Sequence, residues 1–228
     1  MADAPRDDRP EASPAALADG PLDARERSEL CDLFLAVGPD APTLCVGWTT
    51  LDLAAHLVVR EHDPRSGFAI LGGERFATLE HSLMDGARSL GYERLVDRLR
   101  AGPPLVPWRL PVLRQFLNLT EWFVHHEDVR RPAGEAPRSD RPDLDSTLWT
   151  MLRWGSRLML RKVRGAGVAL EAPGFGEVSA RGPGPGVRLT GGPQELTLYL
   201  NGRRSAARVD ITGPEEARAI IESAPLGI

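Results

Sequence analysis

The chain changes its sequence pattern at Gly165, and this change limits the possible folds more than any other feature. Before residue 165, apolar residues recur at the three- and four-residue spacing that is typical of amphipathic helices. After it, short strand-like segments are separated by glycine and proline turns. Helices followed by a mixture of short strands and helices predict an α+β protein with two successive parts.

The first part is predicted to be an antiparallel four-helix bundle, because its main helices are joined by loops of moderate length. The helices are expected over residues 22–37, after the Thr49 cap, over 92–99, over 112–131 and over 143–164, with a possible short helix over 74–84. The second part is expected to contain strands over 168–171, 176–180, 186–190 and 207–212, with helices that begin near residues 193 and 214.

These patterns divide the chain into three segments. Residues 1–20 carry prolines and charges without apolar periodicity, so we expect a disordered tail. Residues 21–164 form the predicted helical bundle, and residues 165–228 form the predicted small α+β domain.

Composition excludes several classes of partner. The 28 basic and 32 acidic residues give a net charge of -4 without a dense basic run, which argues against nucleic acid. No apolar run approaches the roughly 20 residues that span a bilayer, so we expect a cytoplasmic protein without a membrane partner. The two cysteines, Cys31 and Cys45, are expected to be reduced and packed as small apolar residues. The oligomeric state is not predicted.

Glu121 and His125 lie four residues apart on the helix predicted over 112–131. A helix of about 3.6 residues per turn stacks such side chains on one face, so a carboxylate and an imidazole can share a cation. Their stripe overlaps the apolar side of the helix, where an unpaired carboxylate is costly. Pairs at this spacing are also common on helix surfaces, so this helix alone leaves a metal site and a surface pair open.

His56 is the best candidate for a third ligand, because it shares an apparently inward helical face with Leu53 and Leu57. A core histidine with one backbone partner is the alternative. A His/Glu/His set leaves a borderline cation such as zinc with one or more open positions, which is typical of catalytic sites. His126 is the weaker candidate, since it points about 100° away from its neighbour around the helix. His62 and His81 lie in irregular sequence and are expected to be exposed.

Two further side chains are predicted to assist this site. Asp128, three residues past His125, can orient the ring of that histidine as an acceptor, or it can pair with an arginine at the end of the helix. Arg60 can hold a carboxylate of the substrate or thiol by a bidentate contact, or it can form a surface pair with Glu61 or Asp63.

Three ordered segments resemble one known family. Residues 48–58 (WTTLDLAAHLV) look like the metal-binding N-terminal motif of the DinB-like, mycothiol-dependent maleylpyruvate isomerase family. Residues 121–125 (EWFVH) resemble its second motif, in which the glutamate and the histidine are ligands, and residues 192–203 (GPQELTLYLNGR) are similar to its C-terminal domain. The resemblance covers roughly residues 22–220. Residues 56–61 and 129–131 look closest to an actinobacterial branch other than the isomerase itself.

The resemblance implies a bundle that binds a divalent metal, usually zinc, through His56, Glu121 and His125. In this family the metal activates a small thiol, mycothiol, for isomerisation of a small electrophile or S-transfer to it. The departures at residues 56–61 and 129–131 put maleylpyruvate itself in doubt as the substrate.

Two alternatives to an enzyme remain from the sequence: a metal-binding or regulatory protein without turnover, and a bundle without metal. An open coordination position beside Arg60 favours the enzyme. A fourth protein ligand such as His126 or Cys45 favours the regulatory protein.

Overall fold

A computed structural model describes residues 21–66, 77–103, 118–182, 184 and 186–227. These residues form eight helices and four strands, which confirms the α+β class. The helices are α1 (Leu22–Val37), α2 (Thr50–His62), α3 (Ala77–Arg88), α4 (Tyr92–Ala101), α5 (Leu119–Arg130), α6 (Pro142–Met159), α7 (Pro193–Leu200) and α8 (Glu215–Ser223). The strands are β1 (Gly167–Ala172), β2 (Gly176–Arg181), β3 (Gly186–Thr190) and β4 (Asp210–Thr212).

Local signals set the ends of the N-terminal helices. Thr49 and Asp52 form a reciprocal capping box at the start of α2, since each side chain accepts a hydrogen bond from the backbone N–H of the other. Gly38 follows the last residue of α1, and Gly102 follows the last residue of α4, as predicted. The predicted helices over 22–37 and 92–99 are confirmed.

Three apolar clusters hold the helices and the sheet together. The first joins α1, α2, α3 and α4 to Trp122 and Val129 of α5. The second packs the other side of α5 against α6 and Leu198 of α7. The third joins Trp149 and Leu152 of α6 to the sheet, α7 and α8. Helix α6 therefore contributes to the core of both parts of the chain.

The four strands form one mixed sheet in the order β2-β1-β3-β4. β1 pairs antiparallel with β2 and parallel with β3, while β4 pairs antiparallel with β3. The strand predicted over 207–212 is shorter than expected, because only Asp210–Thr212 pairs with β3.

Helix α6 ends at Met159, so the prediction that it continues to residue 164 is wrong. Leu160 and Val163 are buried in the cluster around the sheet, and the chain leaves the helical path to place them there. Burial in tertiary structure thus overrides the local helical pattern.

Some predictions fall on residues that the structure does not describe. The tail over 1–20, the segment 112–117 of the predicted long helix and residues 74–76 of the possible short helix lie outside the described residues. The four-helix bundle and the division of the chain at residue 164 stay predictions. No helix among the described residues is long and apolar enough to cross a membrane.

Candidate metal centre

Helix α2 supplies two side chains to the candidate site. Its capping box starts the helix so that Leu53 and Leu57 face the core, where both are fully buried. His56 and Arg60 are four residues apart in the same helix, so they lie on one side of it, next to the stripe of Leu53 and Leu57. The His56 ring also packs against the Trp48 indole, with ring centroids 5.2 Å apart. The loop and the helix together position this imidazole.

Helix α5 supplies the remaining side chains and is buried on nearly all sides. Every residue from Trp122 to Val129 is buried. Polar side chains on such a helix need partners, because a buried charge without one is costly. His125 therefore contacts both Glu121 and Asp128, one turn before and one turn after it.

The structure brings His56, Glu121 and His125 together. Nε2 of His125 lies 3.2 Å from Oε1 of Glu121, and Nε2 of His56 lies 3.6 Å from the same oxygen. One ligand atom from each residue lies within 4.8 Å of the other two. Zinc bonds of about 2.1 Å in a tetrahedron place neighbouring ligand atoms about 3.4 Å apart. The donor types and their spacing therefore fit a divalent cation such as zinc.

Asp128 orients the ring of His125, as one of the two sequence alternatives predicted. Nδ1 of His125 donates to Oδ2 of Asp128 at 2.8 Å, which turns Nε2 towards Glu121. Arg203 donates to both carboxylate oxygens of Asp128, at 2.8 and 2.6 Å. Burial raises the pKa of Asp128, but Arg203 and His125 outweigh it and lower the pKa to about 2. This acceptor stays ionised at neutral pH.

Arg60 is buried and lies against Glu121, with its Nε 3.2 Å from Oε1. The predicted alternative of a surface pair is not what the structure shows, because Glu61 pairs with Arg27 and Asp63 pairs with Arg65. The Arg60 guanidinium thus adds a fixed positive charge beside the candidate ligands.

The pKa values of the two α5 candidate ligands move in opposite directions. Burial raises the pKa of Glu121, yet Arg60 and the two imidazoles hold it well below its usual range. Burial lowers the pKa of His125, yet hydrogen bonds to Asp128, Cys45 and Glu121 hold it well above its usual range. Without a cation, both shifts favour a carboxylate paired with an imidazolium, and a cation bound by His125 would take the place of the proton on Nε2.

Cys45 differs from the expectation of apolar packing, whereas Cys31 follows it. Cys31 is fully buried, and burial raises its pKa to about 12. The Cys45 thiol lies 3.3 Å from both Oδ2 of Asp128 and a guanidinium nitrogen of Arg203. Both cysteines are free thiols, as predicted. Cys45, His125 and Asp128 also group closely enough for a metal, but both carboxylate oxygens of Asp128 already accept hydrogen bonds from Arg203.

His126 points away from the candidate site, as the helical period predicted. Its Nδ1 lies 3.0 Å from Oε2 of Glu26 on α1. Glu26, Glu29 and His126 form a third possible metal group, yet both carboxylate oxygens of Glu26 already accept hydrogen bonds from Arg138.

The other two histidines lie outside the three groups. His81 is exposed as predicted. His62 is half-buried and burial lowers its pKa, so the prediction that it is exposed is wrong.

Sequence reasoning missed Arg203 and the polar role of Cys45. Arg203 follows the Asn201-Gly202 turn after α7 and contacts Asp128, 75 residues earlier in the chain. No local spacing connects residues so far apart. The one sequence feature that could have pointed to Arg203 is its position at the end of the segment 192–203, which resembles the C-terminal domain of the family.

Two solved structures resemble the chain in fold. One is the crystal structure of a histidine-to-alanine mutant of the mycothiol-dependent maleylpyruvate isomerase, with a TM-score of 0.55, 20% sequence identity, and coverage of 86% of this chain and 95% of that chain. The other is the mycothiol-dependent maleylpyruvate isomerase itself, with a TM-score of 0.47, 19% identity and the same coverage. No protein-family model matches the sequence, and no curated protein matches it. The first likeness shows a common fold along most of both chains.

Proposed function

We propose that His56, Glu121 and His125 hold a divalent cation, and that this cation is zinc, for which two imidazoles and one carboxylate are suitable ligands. The observation that carries this proposal is the convergence of the three ligand atoms within 4.8 Å. The hydrogen bond between His125 and Asp128 supports it, since histidine ligands usually donate their other N–H to such an acceptor.

The proposed activity is that of a thiol-dependent metalloenzyme. A bound cation would favour the thiolate form of a small thiol and so prepare it to attack an electrophile. We propose mycothiol as the thiol, and isomerisation of a small electrophile or S-transfer to it as the reaction. Support comes from the motif resemblance at residues 48–58, 121–125 and 192–203, and from the fold shared with an isomerase described as mycothiol-dependent.

The chain's own residues would then position the reacting groups. Asp128 holds the His125 ring, and Arg203 holds Asp128 from the C-terminal part of the chain. Arg60 would balance the Glu121 charge and hold a carboxylate of the substrate or thiol by its guanidinium. In this proposal residues 21–164 form the metal-binding domain, and residues 165–228 form a domain that braces it.

The regulatory alternative would require a fourth protein ligand to close the site. His126 is paired with Glu26, and Cys45 lies against Asp128 and Arg203. Within the residues that the structure describes, the group of His56, Glu121 and His125 has no fourth member. This arrangement favours an open site, and therefore the enzyme.

Metal analysis of the purified protein tests the site. We expect one divalent cation per wild-type chain. Loss of a residue that only orients a metal ligand lowers metal affinity about 10–100-fold, so the ligand variants His56→Ala and Glu121→Ala should lose more than that. His81→Ala is the matched control, because this histidine is exposed and belongs to none of the three possible metal groups. Full metal occupancy in both ligand variants would show that these residues do not form the metal site.

Calorimetric titration of mycothiol tests the thiol step separately. Binding to the metal-loaded protein and not to the metal-free protein is the expected result. Equal binding of mycothiol to both forms would contradict activation of the thiol by the cation, but it would not contradict the proposed metal site. A metal-loaded protein that binds no thiol would support the regulatory alternative.

A further inference from the structure

The last two turns of α6 and the residues after them expose an unusual combination of side chains, here called the basic-aromatic face. Trp154 is 77% exposed and Leu158 is 65% exposed. They are four residues apart, so they lie on one side of the helix. The face also contains five exposed basic residues: Arg153, Arg157, Arg161, Lys162 and Arg164.

This face is strongly basic in a chain that is acidic. Residues 146–170 contain these five cations and no aspartate or glutamate. Removing the five from the 28 basic residues leaves 23 against 32 acidic residues in the rest of the chain. Within the described part of the chain, none of the five forms an ion pair. The positive charge of the face is thus available to an external partner.

A cleft beside the face adds a place for an anionic group. Its volume is about 390 Å³, and it is lined by Arg157, Arg181, Ser179, Ala180 and Gly182. Nε of Arg181 donates to the carbonyl of Val163 at 3.1 Å, which fixes the plane of its guanidinium. Two arginines and a serine hydroxyl are donors that suit a phosphate.

We propose that the basic-aromatic face docks on a membrane surface rich in anionic phospholipid. Indole rings favour the boundary between headgroups and hydrocarbon, and arginine side chains extend their charge to the headgroups while their stems cover apolar surface. Basic residues near an anionic surface each contribute about 1 kcal/mol of attraction. Trp154 and Leu158 enter the boundary, and the cleft between Arg157 and Arg181 receives a headgroup phosphate.

The charge pattern disfavours other occupants. A second copy of the chain in a symmetric dimer would place five cations opposite five cations. Nucleic acid would use the cations and the Trp154 ring, but it offers no apolar surface for Leu158. A lipid boundary takes both kinds of side chain on a convex helix face. This proposal departs from the expectation of no membrane partner only at the surface of a membrane, and it is independent of the proposed metal site.

Vesicle sedimentation with the full chain tests the proposal. We expect binding to vesicles of phosphatidylcholine mixed with phosphatidylglycerol, weaker binding as salt rises, and little binding to phosphatidylcholine alone. The double variant Arg153→Glu/Arg157→Glu should bind the mixed vesicles about thirtyfold or more weakly. Each of the two arginines contributes about 1 kcal/mol of attraction, and the new glutamates add repulsion. Trp154→Ser/Leu158→Ser should lose about tenfold or more in apparent affinity, because it removes the apolar part of the contact.

Arg94→Glu/Arg98→Glu on α4 is the matched control. Both residues are exposed and four apart, so this variant changes the net charge equally at another surface. It should lose much less affinity than the α6 variant. Equal losses in the two charge variants, or no binding to the mixed vesicles, would overturn the proposal. Binding to nucleic acid alone, or dimerisation that Trp154→Ser/Leu158→Ser abolishes, would assign the face to another partner.

Discussion

Glu26 is a buried carboxylate of α1 that contacts His126 and Arg138, and Glu26→Gln tests how much its charge stabilises the fold. The Glu26 side chain is fully buried. It contacts Nδ1 of His126 at 3.0 Å, and it accepts two hydrogen bonds from Arg138 at 2.8 and 3.0 Å. Burial raises the pKa of Glu26, but His126 and Arg138 outweigh it and lower the pKa from 4.5 to about 2.

The shifted pKa gives the size and the sign of the effect. The fall of the Glu26 pKa from 4.5 to about 2 corresponds to about 3.4 kcal/mol of stability, since a tenfold change in proton affinity is worth about 1.36 kcal/mol. Because the folded-state pKa is the lower one, this stability is present above pH 4.5 and is lost as the pH falls through about 2. About 2 kcal/mol of it should already be lost between pH 7 and pH 3.

Glutamine keeps the shape of the side chain and removes its charge. We expect Glu26→Gln to lower the free energy of unfolding by about 2–3 kcal/mol at pH 7. The difference in unfolding free energy between wild type and variant should shrink towards pH 3, because the wild-type protein loses the stability that ionised Glu26 contributes. Urea unfolding followed by tryptophan fluorescence and by far-UV circular dichroism measures both quantities.

Glu29→Gln is the control, because Glu29 faces the same arginines but is 42% exposed. An exposed ion pair is worth about 0–1 kcal/mol, so this variant should change stability little. A loss below about 0.5 kcal/mol for Glu26→Gln, or a difference from wild type that stays constant with pH, would refute the reasoning.

Four further substitutions test other parts of the fold by the same unfolding assay. Arg203→Leu should cost about 3–5 kcal/mol, because it removes the guanidinium that donates to both oxygens of the buried Asp128 carboxylate. A loss under about 1 kcal/mol would show that this ion pair does not hold the two parts of the chain together. Gly213→Ala should cost about 2–4 kcal/mol, since its φ is 139° and a Cβ would lie 2.5 Å from a backbone oxygen of β3. Gly86→Ala, a helical position with open space, should instead gain about 0.5–1 kcal/mol. Asp52→Ala removes half of the α2 capping box and should cost about 1 kcal/mol; an unchanged midpoint would contradict a role for the cap.

Much of the secondary structure follows from local sequence. The capping residues Thr49 and Asp52 lie three apart, so one turn of helix brings them together wherever the helix lies. Gly38 and Gly102 end their helices for similarly local reasons. Turn residues around β1, β2 and β3 located the strands in the same way. Local rules failed at Leu160, where burial beside the sheet ends α6 early.

The candidate site was only partly readable from the sequence. The spacing of Glu121 and His125 places them on one helical face, and the same spacing rule turns His126 away. The sequence could not decide between a ligand and a core role for His56, because that depends on how α2 is placed relative to α5. The structure places its Nε2 3.6 Å from Glu121.

The sequence by itself determined most of the helical and strand segments, the capping of α2 and the placement of Glu121 and His125 on one helical face, because each depends on residues close together in the chain. Only the tertiary structure decided that His56 meets this pair, that Arg203 holds Asp128 across 75 residues, and that the Cys45 thiol contacts both Asp128 and Arg203. Contacts between distant residues depend on how whole elements pack, and helical spacing carries no information about that packing.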